Sequence, residues 1–224
     1  MNKVVVITTA VLCFLCAHIA SGQSMVRMYR SIYSIAGYYG SGNSTATIDQ
    51  GAGSQLGGTS DSDVLRFSTR DGYFLYRNLA LGGEFSWEHQ SSSYQPDPNP
   101  INYRSESRDR RLFVGPWVRW YVPTSVRWYA ALEASAGYVH TLGEKEESTS
   151  SYILPKTTTS ANGIGVNVGA GMGYFLSRGI ALDITARYGA GWLNGKYRTP
   201  GNADLDVELD YGEVSFLLGV QLLL

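Results

Sequence analysis

Cysteine is almost absent from this chain of 224 residues, and its absence excludes several kinds of chemistry. The two cysteines, Cys13 and Cys16, both fall in the apolar N-terminal segment. Beyond that segment the sequence offers no disulfide framework, no thiolate metal site and no cysteine nucleophile.

Long apolar runs are missing after the first twenty residues. Lys3 supplies a positive start, residues 4–19 are nearly all apolar, and residues 20–22 are the small residues that a signal peptidase reads. We predict a cleaved signal peptide over residues 1–22. The alternative, a transmembrane anchor, is disfavoured because the segment is short and ends in small polar residues. The exported chain, residues 23–224, has the length of one domain.

An excess of charge of one sign is also lacking. Lys and Arg together number 18 against 19 Asp and Glu, which gives a net charge of −1 and does not suggest a nucleic-acid partner. We predict no metal centre and no cofactor. Arginine strongly outnumbers lysine, and arginine is the cation suited to fixed, partly buried pairing with carboxylates.

The sequence does contain a regular alternation of apolar with small or polar residues. This period of two predicts β-strands and runs through residues 79–89, 164–176, 180–192 and 214–224. In 180–192, for example, Ile184 and Tyr188 share one face while Thr185 and Arg187 share the other. A soluble barrel would turn the apolar face inward, whereas a membrane barrel turns it toward lipid. The polar face is made of Gly, Ser, Asn and isolated charges, which suits a narrow lumen and favours the membrane barrel.

Counting such segments predicts eight strands. They lie near residues 31–42, 63–76, 79–91, 107–122, 127–141, 160–176, 180–194 and 209–224. Short connections, near 77–78, 123–125 and 177–179, alternate with long polar ones at 43–62, 92–106, 142–159 and 195–208. Short periplasmic turns and long outer loops are typical of outer-membrane barrels, so we predict an all-β fold, an eight-stranded antiparallel up-and-down transmembrane barrel.

Three phrases carry a resemblance to a known family. They are GYF at 72–74 with NLALG at 78–82, GPWVRWY at 115–121, and LGVQ at 218–221. In these the chain resembles the small outer-membrane β-barrel domain family, which is broadly similar to the barrel of outer membrane protein A. The resemblance implies location in the cell outer membrane, contact with outer-membrane lipid and lipopolysaccharide, insertion by the barrel assembly machinery, and a monomeric state. It says little about activity.

Five charged residues are expected inside the barrel. By strand parity, inward positions are held by Glu84, Arg119, Glu133, Asp183 and Arg187. An eight-stranded barrel is only wide enough to be filled by side chains, so these charges must be paired. We expect a plug of arginine–carboxylate bridges, including a pair between Arg119 and Glu84. A gated conduction path through breakable bridges is the alternative.

Two further groups have weaker chemical patterns. His89 and Ser91 share a lipid-facing side, as in the lipid A deacylases of the outer membrane, but no orienting carboxylate can be assigned to them. A polar position near the headgroups is the favoured interpretation. Four carboxylates follow one face of an extended segment and form a possible divalent-cation loop: Asp204, Asp206, Glu208 and Asp210. A solvated strand extension is favoured there.

These patterns predict a non-enzymatic barrel with a structural or surface-interaction role. A small channel is the first alternative, and a lipid A-modifying hydrolase that depends on His89 and Ser91 is the second.

Overall fold

A computed structural model of the chain describes residues 31–49, 55–97, 102–149, 155–201 and 203–224. All regular elements in these residues are β-strands. The strands are β1 (Ser31–Asp49), β2 (Gln55–Tyr76), β3 (Leu79–Asp97), β4 (Arg104–Pro123), β5 (Trp128–Ser148), β6 (Thr157–Phe175), β7 (Ile180–Arg198) and β8 (Leu205–Leu223). They pair antiparallel in chain order and close into one barrel, which confirms the predicted fold class. The predicted signal peptide, residues 1–22, lies outside the described residues.

The strands are longer than the sequence predicts. Residues 43–49 and 55–62 were predicted as loop but continue the β1–β2 ladder, and the other hairpins that were given long loops extend in the same direction. Ladder hydrogen bonds depend on the backbone and not on side-chain polarity, so pairing continues after the apolar alternation stops. The prediction placed the strand ends where the apolar pattern ends, and that placement is wrong.

The barrel closes through its shortest ladder. Residues 32–37 of β1 pair with 218–223 of β8. The terminal Leu224 extends this seam, because Ser31 and Leu224 exchange two backbone hydrogen bonds of 3.0 Å. The C-terminal residue therefore helps to hold the first and last strands together.

The outer surface of the barrel is an apolar belt. Val168, Ile184 and Phe216 are 53%, 47% and 61% exposed and point away from the lumen. Trp128 and Tyr138 are exposed on the same face of β5, about ten residues apart. At about 3.3 Å per residue and a tilt of about 40°, that separation gives a belt about 25 Å tall, which matches the lipid-facing band of outer-membrane barrels. The apolar face is thus turned outward, and the soluble-barrel alternative is excluded.

No helix long and apolar enough to cross a bilayer occurs within the described part of the chain.

Candidate functional site

The best-defined chemical site is the charged lumen. The inward positions are the even-numbered residues of β1–β3 and the odd-numbered residues of β4–β8, and the five predicted charges all occupy such positions. All five are buried, and Arg119 has 0% exposure. The inward face also carries Arg70, which is buried but was not singled out from the sequence.

Glu133 lies at the centre of this cluster. Its carboxylate accepts hydrogen bonds of 3.0 Å from Arg70 Nη1, Arg119 Nη1 and Arg187 Nη2. Glu84 accepts from Arg187 Nη1 at 2.6 Å and lies 3.4 Å from Arg70 Nε. Three arginines thus meet three carboxylates, because Asp183 is the second partner of Arg119. A cluster of balanced charge compensates much of the cost of removing its members from water.

The expected pair between Arg119 and Glu84 is wrong. Arg119 pairs with Glu133 and Asp183, while Glu84 pairs with Arg70 and Arg187. The register explains this outcome: Arg119 lies opposite Ala80 on β3 but opposite Glu133 on β5. Arg70 lies directly opposite Glu84.

A second ion-pair cluster lies nearer the end of the lumen that carries the long hairpins. Arg66 pairs with Glu88 and Glu213, and Arg111 lies 2.8 Å from Glu213 Oε2 and 3.4 Å from Glu88 Oε1. The Arg111 guanidinium also stacks over the Tyr211 ring at 4.0 Å. None of these residues was singled out from the sequence. Two arginines and two glutamates again balance in charge.

Aromatic rings fill the lumen between these charges and the short turns. Phe74, Tyr121, Tyr129 and Phe175 form a chain of rings with centroids 5.2–5.4 Å apart. Gly173 makes room for this layer, since a Cβ there would collide with the Tyr129 ring. Tyr129 donates a hydrogen bond of 3.0 Å to Asp183, which ties the aromatic floor to the charges above it.

A second apolar cluster lies toward the end of the barrel that carries the long hairpins. It consists of Phe113, Val139, Ala161 and Leu193, with Leu209 and Tyr211 packed against it. Two charged clusters and two apolar clusters therefore fill the lumen with side chains, as expected for eight strands.

Several buried polar atoms in the lumen have no protein partner among the described residues. They include Arg70 Nη2, Glu84 Oε2, Arg119 Nε, Arg187 Nε and Gln221 Nε2. The network is therefore not fully satisfied by protein atoms alone. Each unsatisfied buried donor or acceptor costs about 1–3 kcal/mol.

The two weaker candidate sites, the His89 and Ser91 pair and the acidic segment that begins at Asp204, both lie outside the lumen. His89 and Ser91 point outward on β3, and the His89 ring is stacked with Trp87 at a centroid distance of 6.0 Å. Within the described residues, no hydrogen bond or ion pair joins either residue to a carboxylate. The carboxylate of Asp109 on β4 interacts with the His89 charge but makes no hydrogen bond to the ring, so no hydrogen-bonded orienting group for a serine–histidine pair is present among the described residues.

The acidic segment is divided between a loop and a strand. Asp204 accepts a hydrogen bond of 3.0 Å from Arg198 Nε, while Asp206, Glu208 and Asp210 point outward along β8 and are exposed. No group of three or more acidic, histidine or cysteine side chains in the described residues is arranged to hold a metal ion.

The closed ladder, the apolar belt and the polar, filled lumen define the class of protein as a transmembrane β-barrel. The chain matches no protein-family model, and no curated protein matches it in sequence. Its fold is similar to a number of solved structures, among them the following two. The outer membrane protein OprG from Pseudomonas aeruginosa is 10% identical, with 88% of this chain and 97% of that chain covered and a TM-score of 0.52. The outer membrane protease OmpT from Escherichia coli is 10% identical, with coverage of 87% and 79% and a TM-score of 0.51.

Proposed function

We propose that this protein is a non-enzymatic outer-membrane barrel with a closed lumen and a structural or surface-interaction role. The observation that carries the proposal is the packing of the lumen, where arginine–carboxylate clusters and apolar clusters fill the space together. The arginines at Glu133 each hold more than one carboxylate, and the guanidinium fork makes such pairing rigid. A hydrated ion would have to break several of these pairs to pass.

Strand length supports the surface-interaction part of the proposal. A tilted strand of about 9–11 residues spans a bilayer, but β2 has 22 residues and β5 has 21. About half of each strand therefore rises above the apolar belt as a polar hairpin. Exposed hairpins on a rigid scaffold are suited to contact with other molecules.

The location in the outer membrane is supported by two independent features. Residues 1–22 have the pattern of an export signal, and the fold is the one that crosses the outer membrane with strands. We then expect the barrel assembly machinery to recognise strand β8, in which apolar and polar residues alternate. We also expect the protein to be a monomer surrounded by outer-membrane lipid and lipopolysaccharide.

Planar-bilayer recording tests the closed lumen. Purified protein that shows heat-modifiable gel mobility should give no discrete current steps, whereas Arg119→Ala should pass ions if the bridges are what closes the lumen. Arg127→Ala, a turn variant remote from the lumen, is the matched control. Regular current steps from the wild-type protein would overturn the proposal.

A gated channel is the second candidate, because the unpartnered lumen atoms named above favour some hydration of the network. In that case the wild-type protein should conduct in steps that depend on pH or voltage. Those steps should change in Glu133→Gln and not in the turn variant.

Thiol labelling tests the orientation. Cysteines placed at Gly53 or Ser150, which lie outside the described residues, should react in intact cells with a membrane-impermeant reagent, and one at Ser125 should not. The absence of cysteine beyond residue 16 keeps the background low. Labelling at Ser125 alone would mean that the long hairpins face the periplasm.

A further inference from the structure

Two outward-facing rows of residues cross four strands beyond the apolar belt. Cross-strand register aligns Arg108, Glu144, Thr158 and Arg198 in one row, and Arg110, Leu142, Ser160 and Lys196 in the other. These eight residues, which we call the rim trough, line a cavity of about 270 Å³ together with Gly143 and Thr159.

The cations stand on the two edges of the rim trough. Arg108 and Arg110 lie on β4, and Lys196 and Arg198 lie on β7. Neighbouring strands are about 4.8 Å apart, so three strand spacings separate the edges by about 14 Å. The hydroxyl groups of Thr158 and Ser160 lie between them and can donate hydrogen bonds. Positive charge on two sides with donors between is an arrangement that binds an anionic group bearing several oxygens.

These cations have fewer close carboxylate contacts than the lumen cations. Within the described residues, neither Arg110 nor Lys196 has a carboxylate oxygen within 4.0 Å. Arg108 lies 3.7 Å from Glu106, and Arg198 lies 3.0 Å from Asp204. Counted over its own eight residues, the rim trough carries four cations and one carboxylate; on the neighbouring strand β8, Asp206 lies opposite Lys196 and faces the same way.

The single carboxylate of the rim trough is already occupied. Lys156 Nζ donates to Glu144 Oε2 at 2.9 Å and is also 3.3 Å from Glu146. This hydrogen bond, together with the nearby charges of Arg110 and Arg108, holds the pKa of Glu144 below its usual range. Glu144 thus stays ionised, and its charge is shared between Lys156 and the two trough arginines Arg108 and Arg110.

The height of the rim trough matches the headgroup zone. Trp192 is the last outward-facing aromatic residue of β7 within the belt, and Lys196 follows it four residues later. At about 3.3 Å per residue and about 40° of tilt, Lys196 lies about 10 Å above Trp192. That is where the phosphates and first sugars of an outer-leaflet glycolipid lie when the long hairpins face outward.

We propose that the rim trough binds the phosphate groups of a phosphorylated glycolipid, a lipopolysaccharide of the outer leaflet. This inference rests on the outer-membrane location proposed above. Arginine matches phosphate in two-point geometry, and the mixed arginine and lysine edges can hold separate phosphates of one lipid. The ligand would lie along the barrel wall, with its acyl chains against the apolar belt below the trough.

Lipid binding by the purified, folded full chain tests the proposal. The probe is bis-phosphorylated lipid A titrated into protein in phosphatidylcholine nanodiscs, with the dissociation constant as readout. Arg110→Ala combined with Lys196→Ala removes the two cations that lack a carboxylate partner, and affinity should fall about tenfold or more because charge-assisted hydrogen bonds are lost. The matched control, Arg104→Ala with Lys145→Ala, removes the same charge from the same outer region and should change the affinity less than about twofold.

Three results would overturn the proposal. They are equal affinity for dephosphorylated lipid A, an unchanged affinity in the double variant, and an equal loss in the matched control. Competition by inorganic phosphate at the concentration of the lipid would assign the rim trough to free anions instead. Heat-modifiable mobility of each variant shows that it is folded. Because the assay measures lipid binding by a folded barrel, its outcome is independent of whether the lumen conducts.

Discussion

The arginines of the lumen and those of the rim trough show how position decides what one side chain does. Arg119 is fully buried and held by Glu133 and Asp183, so its charge is satisfied by protein groups. Arg108 has a side chain that is 51% exposed and only a long contact of 3.7 Å to Glu106. The first arrangement fixes the barrel, whereas the second leaves charge available for another molecule.

Counting charges sharpens this contrast. The lumen clusters contain as many carboxylates as arginines, because an unpaired ion in a narrow, dry space is costly. The rim trough is exposed on the outer wall of the barrel, where an unpaired cation costs little. Equal numbers of positive and negative charges are therefore required in the lumen but not at the rim. Only at the rim does an excess of charge indicate a binding site for another molecule.

The largest expected effect comes from removing a lumen arginine. Arg119→Met should lower the free energy of unfolding by about 3–5 kcal/mol, because Asp183 and Glu133 lose a buried partner. Urea titration in lipid vesicles, followed by gel mobility, measures this loss. Arg198→Met at the rim is the matched control and should leave the urea midpoint nearly unchanged, since its side chain is 64% exposed.

A double-mutant cycle then isolates the pair. Asp183→Asn keeps an acceptor for the Tyr129 hydroxyl but removes the charge, so combining it with Arg119→Met should recover part of the loss. Simple additivity of the two substitutions would contradict the pairing.

The second largest loss of stability is expected from a charge placed on the lipid-facing side of the barrel wall. Ile184→Arg places a charge in the apolar belt, where no carboxylate can reach it, and should cost about 2–4 kcal/mol of folding stability in bilayers. Thr185→Ser, one residue along and facing inward, keeps the hydroxyl that donates to Asp183 at 2.8 Å and should cost little. Equal losses at the two positions would contradict the assignment of the faces.

Strand number, strand order and the polarity of each face could be predicted from the sequence. They follow from a period of two that lipid contact imposes on β6, β7 and β8. Strand β2 was less informative because both of its faces are mixed: Thr69 and Asp71 point outward while Arg66 and Arg70 point inward. Its two lumen arginines were therefore missed.

A local signal for those arginines does exist. Arg70 and Glu84 are each seven residues from Arg77, and Arg66 and Glu88 are each eleven residues from it, so the tight turn makes them direct partners. Arg119 and Glu133 are placed in the same way about the turn between β4 and β5. The prediction that paired Arg119 with Glu84 compared how far each residue lies from its own turn. It did not take the register between strands β3 and β4 into account. Contacts across the lumen, such as Arg66 with Glu213, depend on closure of the barrel and have no local signal.

The smallest expected effect on stability is at the rim trough, and it separates binding from folding. Arg110→Ala with Lys196→Ala should leave the free energy of unfolding in phosphatidylcholine vesicles within about 0.5 kcal/mol of wild type, as for surface substitutions that break no pair. When bis-phosphorylated lipid A is added, the wild-type barrel should be stabilised by preferential binding to its folded state, and the double variant should gain less. Urea midpoints with and without the lipid measure both quantities. A large loss of stability without the lipid would mean that these cations support the fold, as the lumen arginines do, and the contrast between the two regions would fail.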